Sequence, residues 1–350
     1  MKILLIALSI GFLNIFFAQA QAPQQPPITA LPETPEGQEQ AEPSEAMRSL
    51  IRDISRYARR YNRYFTIVTQ GGLEILEKTD QVDATRSSPA NTYIRSIDGI
   101  NIRGLNYHPP FDGKKEIETE RKSKENMLRL ANIAQKRGLK IFVTDYYANL
   151  KIAQKAYRFN LSKGFIPFTA ESLGSDYTFD KIPTFPSRPI NENPKNMIGL
   201  KSAKNFLQLT DSANYDRQQD FVIALSNTNF DVVIVDVFHK GRQPFKKAAI
   251  QGMKFKKLGA RRLVFAYMNI GAAESYRYYW KDRWKEGQPA FISSATPGNP
   301  DKYYVEFWRP SWRKIITGNT SSYIYGIIKQ GFDGVLLGGV DNYKFFDSGG

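Results

Sequence analysis

Eight short runs rich in β-branched or aromatic residues recur along the chain, each bounded by Gly, Asn or Asp: FTIVTQ near Phe65, GINIRGL from Gly99, KIFVTDY from Lys140, GFIPFTA from Gly164, NFLQLT from Asn205, DVVIVDV from Asp231, RRLVFAYMNI from Arg261 and GVLLGG from Gly334. Most are apolar throughout rather than alternating, the pattern of strands buried on both faces. Between them the apolar positions change to a helical period. Glu45 to Asn62 places Met47, Leu50, Ile51, Ile54 and Ala58 on one stripe, and Glu120 to Arg137 does the same with Met127, Leu130, Ala131 and Ala134 before Gly138. Eight strands alternating with helices predict a single closed (β/α)8 TIM barrel. An open doubly wound sheet would carry a Gly-rich phosphate loop, and no such loop is present in the sequence. The chain meets its first helix before its first strand and ends just after its eighth. In a ring the first and last strands are neighbours, so this order predicts that the helix from Glu45 covers the strand at Gly334.

The first twenty residues have a different character. Lys2, the apolar run Ile3 to Phe17 and the small-residue site Ala18-Gln19-Ala20 make a secretory signal with cleavage expected after Ala20. The apolar run is shorter than the roughly 20 residues of a spanning helix, and no Cys follows to take a lipid, so no membrane anchor is expected after cleavage. Residues 21–46 hold six Pro and five Glu and little to bury, the composition of a disordered spacer. The barrel is expected over 47–350, in a protein exported to the periplasm or beyond.

Charge and scarce residue types narrow the chemistry. The chain has no Cys and two histidines, His108 and His239, so no disulfide contributes, and neither a metal site nor any cofactor is indicated. Its net charge is +15; without Lys2 and the five spacer glutamates, 48 basic face 29 acidic residues. Such a surface favours polyanions. The basic residues are scattered rather than gathered on a helix, no recognition motif appears, and the signal directs the chain out of the cytoplasm, so nucleic acid is not the expected partner.

The segments DVVIVDVF, RRLVFAYMNIGAAESYRYYW, YYVEFWRPSW and GFDGVLLGGVDNYKFF resemble the amino-terminal half of glycoside hydrolase family 114, the endo-α-1,4-polygalactosaminidase-like barrels. MRSLIRDISRYARRYNRYFTIVTQGGLEIL, IDGINIRGLNY, KIFVTDYYANLKIAQKAYRFNLSKGFIPFTA and ESL resemble its carboxy-terminal half. The resemblance covers nearly all of Met47 to Phe346 with the halves transposed, which implies a circularly permuted barrel acting on a polysaccharide or oligosaccharide.

Glycoside hydrolysis uses two carboxyl groups about 5 to 9.5 Å apart, and in a β/α barrel they sit at the carboxy-terminal strand ends. The resemblance implies an Asp at the end of GVLLGG, where this chain has Gly338, a Glu in IRGLNY, where Arg103 stands, and a further carboxylate where Ala272 stands. Gly and Ala carry no acid, and Arg stays protonated. The expectation is a hydrolase-derived barrel that binds glycan without cleaving it; the alternative is an active hydrolase using relocated carboxylates, with Asp236, Glu274 and Asp341 as candidates. Asp145, Tyr107, Gln70 and Tyr267 at other strand ends are candidate saccharide contacts. Trp280 and Trp308 join them as flat stacking faces, although the i, i+4 spacing of Trp280 with Trp284 and of Trp308 with Trp312 equally suits packing against the barrel. A deacetylated polygalactosamine is cationic and would be repelled by the basic surface, which favours an anionic or neutral glycan.

Overall fold

A computed structural model describes residues 42–79, 83, 86–109, 117–147, 149–171, 179–186 and 188–347. The expected signal and nearly all of the expected spacer lie outside the described residues. Eight parallel strands form the barrel: β1 Thr66–Gln70, β2 Gly99–Arg103, β3 Lys140–Tyr147, β4 Ile166–Glu171, β5 Phe206–Leu209, β6 Val232–Asp236, β7 Leu263–Asn269 and β8 Gly334–Gly338. Six of them fall within the runs read from the sequence, and β3 and β4 each extend one residue past theirs, to Tyr147 and Glu171. Nearly all their residues are buried, because one face looks into the barrel and the other lies under helices.

Around the sheet the order is β4-β3-β2-β1-β8-β7-β6-β5. Strands β1 and β8 pair directly, with Thr66 opposite Gly334 and Thr69 opposite Leu337, so the first and last strands of the barrel are neighbours in the ring. The ring is open between β4 and β5, which no ladder joins among the described residues. Aromatic side chains bridge that seam: the rings of Phe168 and Phe206 lie 5.4 Å apart, and Phe142 meets Phe206 edge-on at 4.9 Å.

The helices are α1 Pro43–Tyr61, α2 Asn91–Ile94, α3 Arg121–Lys136, α4 Leu150–Ser162, α5 Gln218–Ser226, α6 Lys247–Met253, α7 Pro310–Ile316, α8 Tyr323–Gln330 and α9 Tyr343–Asp347. Helix α1 starts earlier than its apolar stripe suggested, inside the expected spacer. Pro43 suits the first helical turn because its missing N–H has no partner to lose there. Ser44 and Ala46 are already buried. Met47, Leu50, Ile51, Ile54 and Ala58 are fully covered, and α1 packs against α9 and α8 from the end of the chain and against α2, as the closing helix of a ring should. Its Arg48 is buried too, donating to the carbonyls of Ile75 at 2.9 Å and Glu77 at 2.7 Å.

Three aspartates lock strand entries together. The Asp98 carboxylate accepts from Ile67 N at 2.8 Å, Asp231 from Lys204 N at 2.8 Å, and Asp333 from Val264 N at 3.0 Å. Each precedes one strand and ties it to the neighbour before it in the chain. Each also meets a cation: Arg59 at 2.8 Å from Asp98, Lys256 at 2.6 Å from the fully buried Asp231, and Lys254 and Arg261 at 2.9 and 2.6 Å from Asp333.

At the opposite, carboxy-terminal pole, Ala272–Glu274, Ile292–Thr296 and Asn299–Val305 form a small antiparallel sheet inserted after β7, with the last of them in the middle. Its turn overhangs the barrel mouth.

Candidate functional site

A cavity of about 810 Å³ opens at the carboxy-terminal pole. Gln70 ends β1, Arg103 ends β2, Gln208 comes from β5, Asp236 ends β6 and Tyr267 comes from β7, and all of them line it. Thr296 to Asn299 and Lys302, from the inserted sheet, form one wall. Gln70 and Gln208 are buried, and their side-chain oxygens find no hydrogen-bond partner among the described residues. Buried carboxamides normally bond to something, so these suit a hydroxyl-bearing ligand.

The centre of the site is Arg277. Its two terminal nitrogens grip Asp236 at 2.8 Å each, and its Nε donates to Glu274 at 2.6 Å. Two contacts of this length to one planar guanidinium keep the nearest oxygens of the two carboxylates under the roughly 9.5 Å upper limit for paired acids. All three side chains are nearly covered. Tyr276 and Phe238 complete the surround, their rings 4.9 and 5.3 Å from the guanidinium carbon. Burial pushes the Asp236 carboxyl above its ordinary range, while Arg277 and the backbone N–H of Phe238 pull against it. Burial likewise opposes the charge of Arg277, yet the neighbouring Tyr323, Asp236 and Glu274 hold it well above the usual guanidinium value.

At the end of β8, the space belonging to an acid side chain is taken. A Cβ placed on Gly338 would lie 2.3 Å from the Tyr267 hydroxyl and 2.6 Å from its ring. Ala272 is fully buried in the inserted sheet, paired with Tyr304. Arg103 donates from Nε to the Tyr146 hydroxyl at 3.1 Å.

Several expected site residues stand elsewhere. Asp145 is fully buried and accepts four hydrogen bonds, from Asn106 N at 2.7 Å, Tyr107 N at 3.1 Å, Asn106 Nδ2 at 2.7 Å and Asn160 Nδ2 at 2.8 Å. It anchors the loop after β2 and does not line the cavity; Tyr107 is buried beside it. Asp341 faces the turn after β1, accepting from Gly72 N at 2.8 Å, rather than joining Asp236 and Glu274. That turn requires its glycines: Gly71 and Gly72 have φ of +80° and +74°, and a Cβ on Gly71 would collide with the Asp341 carboxylate. Trp280 stacks on Tyr303 with centroids 5.3 Å apart, and Trp308 meets Phe346 at 4.8 Å. Both rings are half-buried in these contacts, and neither lines the mouth cavity. Of the expected residues, the cavity unites Asp236, Glu274, Gln70 and Tyr267. Arg277 was not anticipated, although its position three after Glu274 was a signal; Gln208, Lys240, Arg242 and Lys302 gave none.

The chain resembles proteins whose functions are undefined. An uncharacterized protein of Methanocaldococcus jannaschii is 31% identical over 170 residues, 45% of this chain and 47% of the relative. Uncharacterized proteins of Deinococcus radiodurans and Thermotoga maritima are 34% identical over 125 residues and 28% identical over 149 residues, covering 38% and 44% of their own lengths. The matches thus span less than half of each curated relative. The family model for glycoside-hydrolase family GH114 matches residues 202–350, from just before β5 to the end. The match to glycoside-hydrolase family GH114 covers the segment that carries β5 to β8, and with them Asp236, Glu274 and Arg277.

Proposed function

We propose that this barrel is an exported glycan-binding protein derived from a glycoside hydrolase and no longer cleaving its ligand. The observation that carries the reading is Arg277, which holds both carboxylates of the mouth at once. A general acid must surrender a proton and a nucleophile must approach the anomeric carbon, and a bidentate guanidinium hinders both. The Tyr267 hydroxyl in the space beside Gly338 supports it, since the acid implied there by family resemblance has neither a side chain nor room. The described lining also holds five cations, Arg103, Lys240, Arg242, Arg277 and Lys302, against the carboxylates Asp211, Asp236 and Glu274. That balance favours a neutral or anionic saccharide over a cationic polygalactosamine.

Circular permutation belongs to the same reading. The family match begins at Ser202, four residues before β5, which borders the open seam of the barrel. A chain in the usual order would start there and pass from β8 into α1, the helix packed beside α9.

The experiment is a titration of the purified protein with neutral, uronate-containing and amine-bearing oligosaccharides, together with a reducing-end assay. Binding without release of reducing ends supports the proposal. The spacing of Asp236 and Glu274 and the raised Asp236 favour a second reading, hydrolysis by relocated acids; turnover abolished by Asp236→Asn or Glu274→Gln would establish it instead.

A further inference from the structure

In a parallel barrel every segment that enters a strand lies at one pole, opposite the mouth. Four of the most exposed large apolar side chains among the described residues are on such segments: Ile198 at 91% exposure, Tyr64 at 70%, Leu258 at 58% and Phe255 at 54%. Tyr64 stands two residues before β1, Ile198 on the approach to β5, and Phe255 and Leu258 in the turn before β7. The last two approaches are joined, because Met197 N donates to the Arg261 carbonyl at 2.8 Å and Arg261 Nη1 to the Met197 carbonyl at 3.1 Å. Tyr64 and Ile198 also share the rim of a basal cavity of about 1010 Å³.

The same pole is strongly basic. Arg63, Arg95, Arg137, Lys140 and Lys201 line the basal cavity, and Lys257 is exposed between Phe255 and Leu258. The acids there are largely consumed: Asp98, Asp231 and Asp333 are each bound to a backbone N–H and at least one cation, leaving Glu192 as an exposed carboxylate. Isolated exposed apolar residues need no explanation, but four on one pole among unneutralised cations do. Apolar tips surrounded by Lys and Arg suit the interface of an anionic bilayer, where the tips enter the headgroup boundary and the cations meet lipid phosphates. Tyr64 adds an amphipathic ring of the kind that settles at that depth.

We infer that the strand-entry pole docks peripherally on an anionic phospholipid surface, so that the mouth with Arg277 faces away from the membrane. The test is co-sedimentation of the chain from Gln21 onward with vesicles of phosphatidylcholine alone and of phosphatidylcholine with phosphatidylglycerol, at low and high salt. The expected result is binding to the anionic vesicles only, weakened at high salt and at least tenfold weaker in Ile198→Ser with Phe255→Ser. Arg95→Gln and Lys201→Gln should each reduce partitioning by about fivefold. The paired substitution Lys122→Gln with Lys151→Gln, at the exposed amino-terminal ends of α3 and α4, removes charge at the opposite pole and should change binding little. Equal partitioning onto both vesicle types overturns the inference. So does anionic binding that the apolar substitutions leave intact, which would be diffuse attraction of a basic protein to any polyanion. Saccharide titration of the same variants reads the mouth independently, since none of the substituted residues lines it.

Discussion

The hydroxyl of Tyr267 stands where a side chain on Gly338 would begin, 2.3 Å from the ideal Cβ position. The two residues lie on neighbouring strands, β7 and β8, whose register sets Asn269 opposite Gly338. Gly338→Asp therefore has to displace a half-buried ring, and overpacking of this kind costs about 1–2 kcal/mol. In a Tyr267→Ala background the same substitution should cost clearly less, a coupling that a double-mutant cycle of urea unfolding measures. Equal cost in both backgrounds would show that Tyr267 yields freely. The consequence for chemistry is that Gly338→Asp with Arg103→Glu should yield no turnover while Tyr267 fills the space.

Arg277→Met leaves Asp236 and Glu274 covered without their cation. Removing one partner of a buried ionic cluster typically costs about 3–5 kcal/mol, which urea unfolding at neutral pH should register. The pH dependence has a definite sign. Asp236 is held above its ordinary value of 3.8 in the folded barrel, so the folded state keeps this proton at pH values where the unfolded chain has released it. Its contribution to stability is therefore present at low pH and is lost as pH rises through the folded value. Without the guanidinium that value climbs further, so the deficit of Arg277→Met should shrink as pH is lowered toward 4. Adding Asp236→Asn and Glu274→Gln should recover part of it at neutral pH. A deficit independent of pH would mean the loss is packing against Phe238 and Tyr276 rather than charge.

Asp145→Ala removes four hydrogen bonds from a fully buried site and leaves the Asn106 and Asn160 amides without their acceptor. The expected loss is about 2–4 kcal/mol of stability, with saccharide affinity at the mouth little changed in the folded fraction. Loss of affinity with stability intact would instead return Asp145 to the ligand site.

The strands were legible because burial on both faces writes a short continuous apolar run, as VVIV of β6 and VLL of β8 show. The start of α1 was less so, since Pro43, Ser44 and Glu45 have the composition of the spacer and only tertiary contact covers Ser44. Site residues were legible where strand ends alone decide position, as for Gln70, Asp236 and Tyr267. They were not where side-chain direction decides. Asp145 and Asp236 both sit at or near a strand end, but asparagines from the β2 loop and α4 surround the first, while an arginine from the inserted loop meets the second. Spacing left stacking and packing equally open for Trp280 and Trp308, and it could not show that Tyr303 and Phe346 are their ring partners.

Lys240 is a non-glycine residue in the left-handed region, at φ +50°, on the rim of the mouth cavity. Such a conformation costs an L side chain about 1–2 kcal/mol, which glycine escapes at some loss of unfolded-chain entropy. Lys240→Gly should therefore stabilise the fold by up to about 1 kcal/mol in urea unfolding while weakening any anionic saccharide more than a neutral one. Destabilisation would show that its 2.8 Å backbone bond to Ser212 depends on the lysine side chain's packing.

The transposed order makes the most demanding prediction. Strand β8 pairs with β1, and α1 packs against α9, so the described ends of the barrel at Glu42 and Asp347 belong to helices already in contact. The break in the ladder lies instead between β4 and β5. A rearranged chain that runs from Phe179 to Asp347, continues through a short flexible linker into Glu42, and ends at Glu171 keeps every strand pairing of the barrel while moving the termini to that seam. It also retains Asn193, Met197 and Leu200, whose buried side chains belong to the approach to β5. Loop closure across adjacent ends adds little entropy, so the rearranged chain should fold, with a urea midpoint near that of the natural order and the same saccharide binding. Deleting Pro43 to Tyr61 from either chain should leave insoluble protein, because it bares the face that Leu50, Ile51 and Ile54 cover. Soluble, cooperatively folded protein after that deletion, or a rearranged chain that does not fold, would reject the permuted reading.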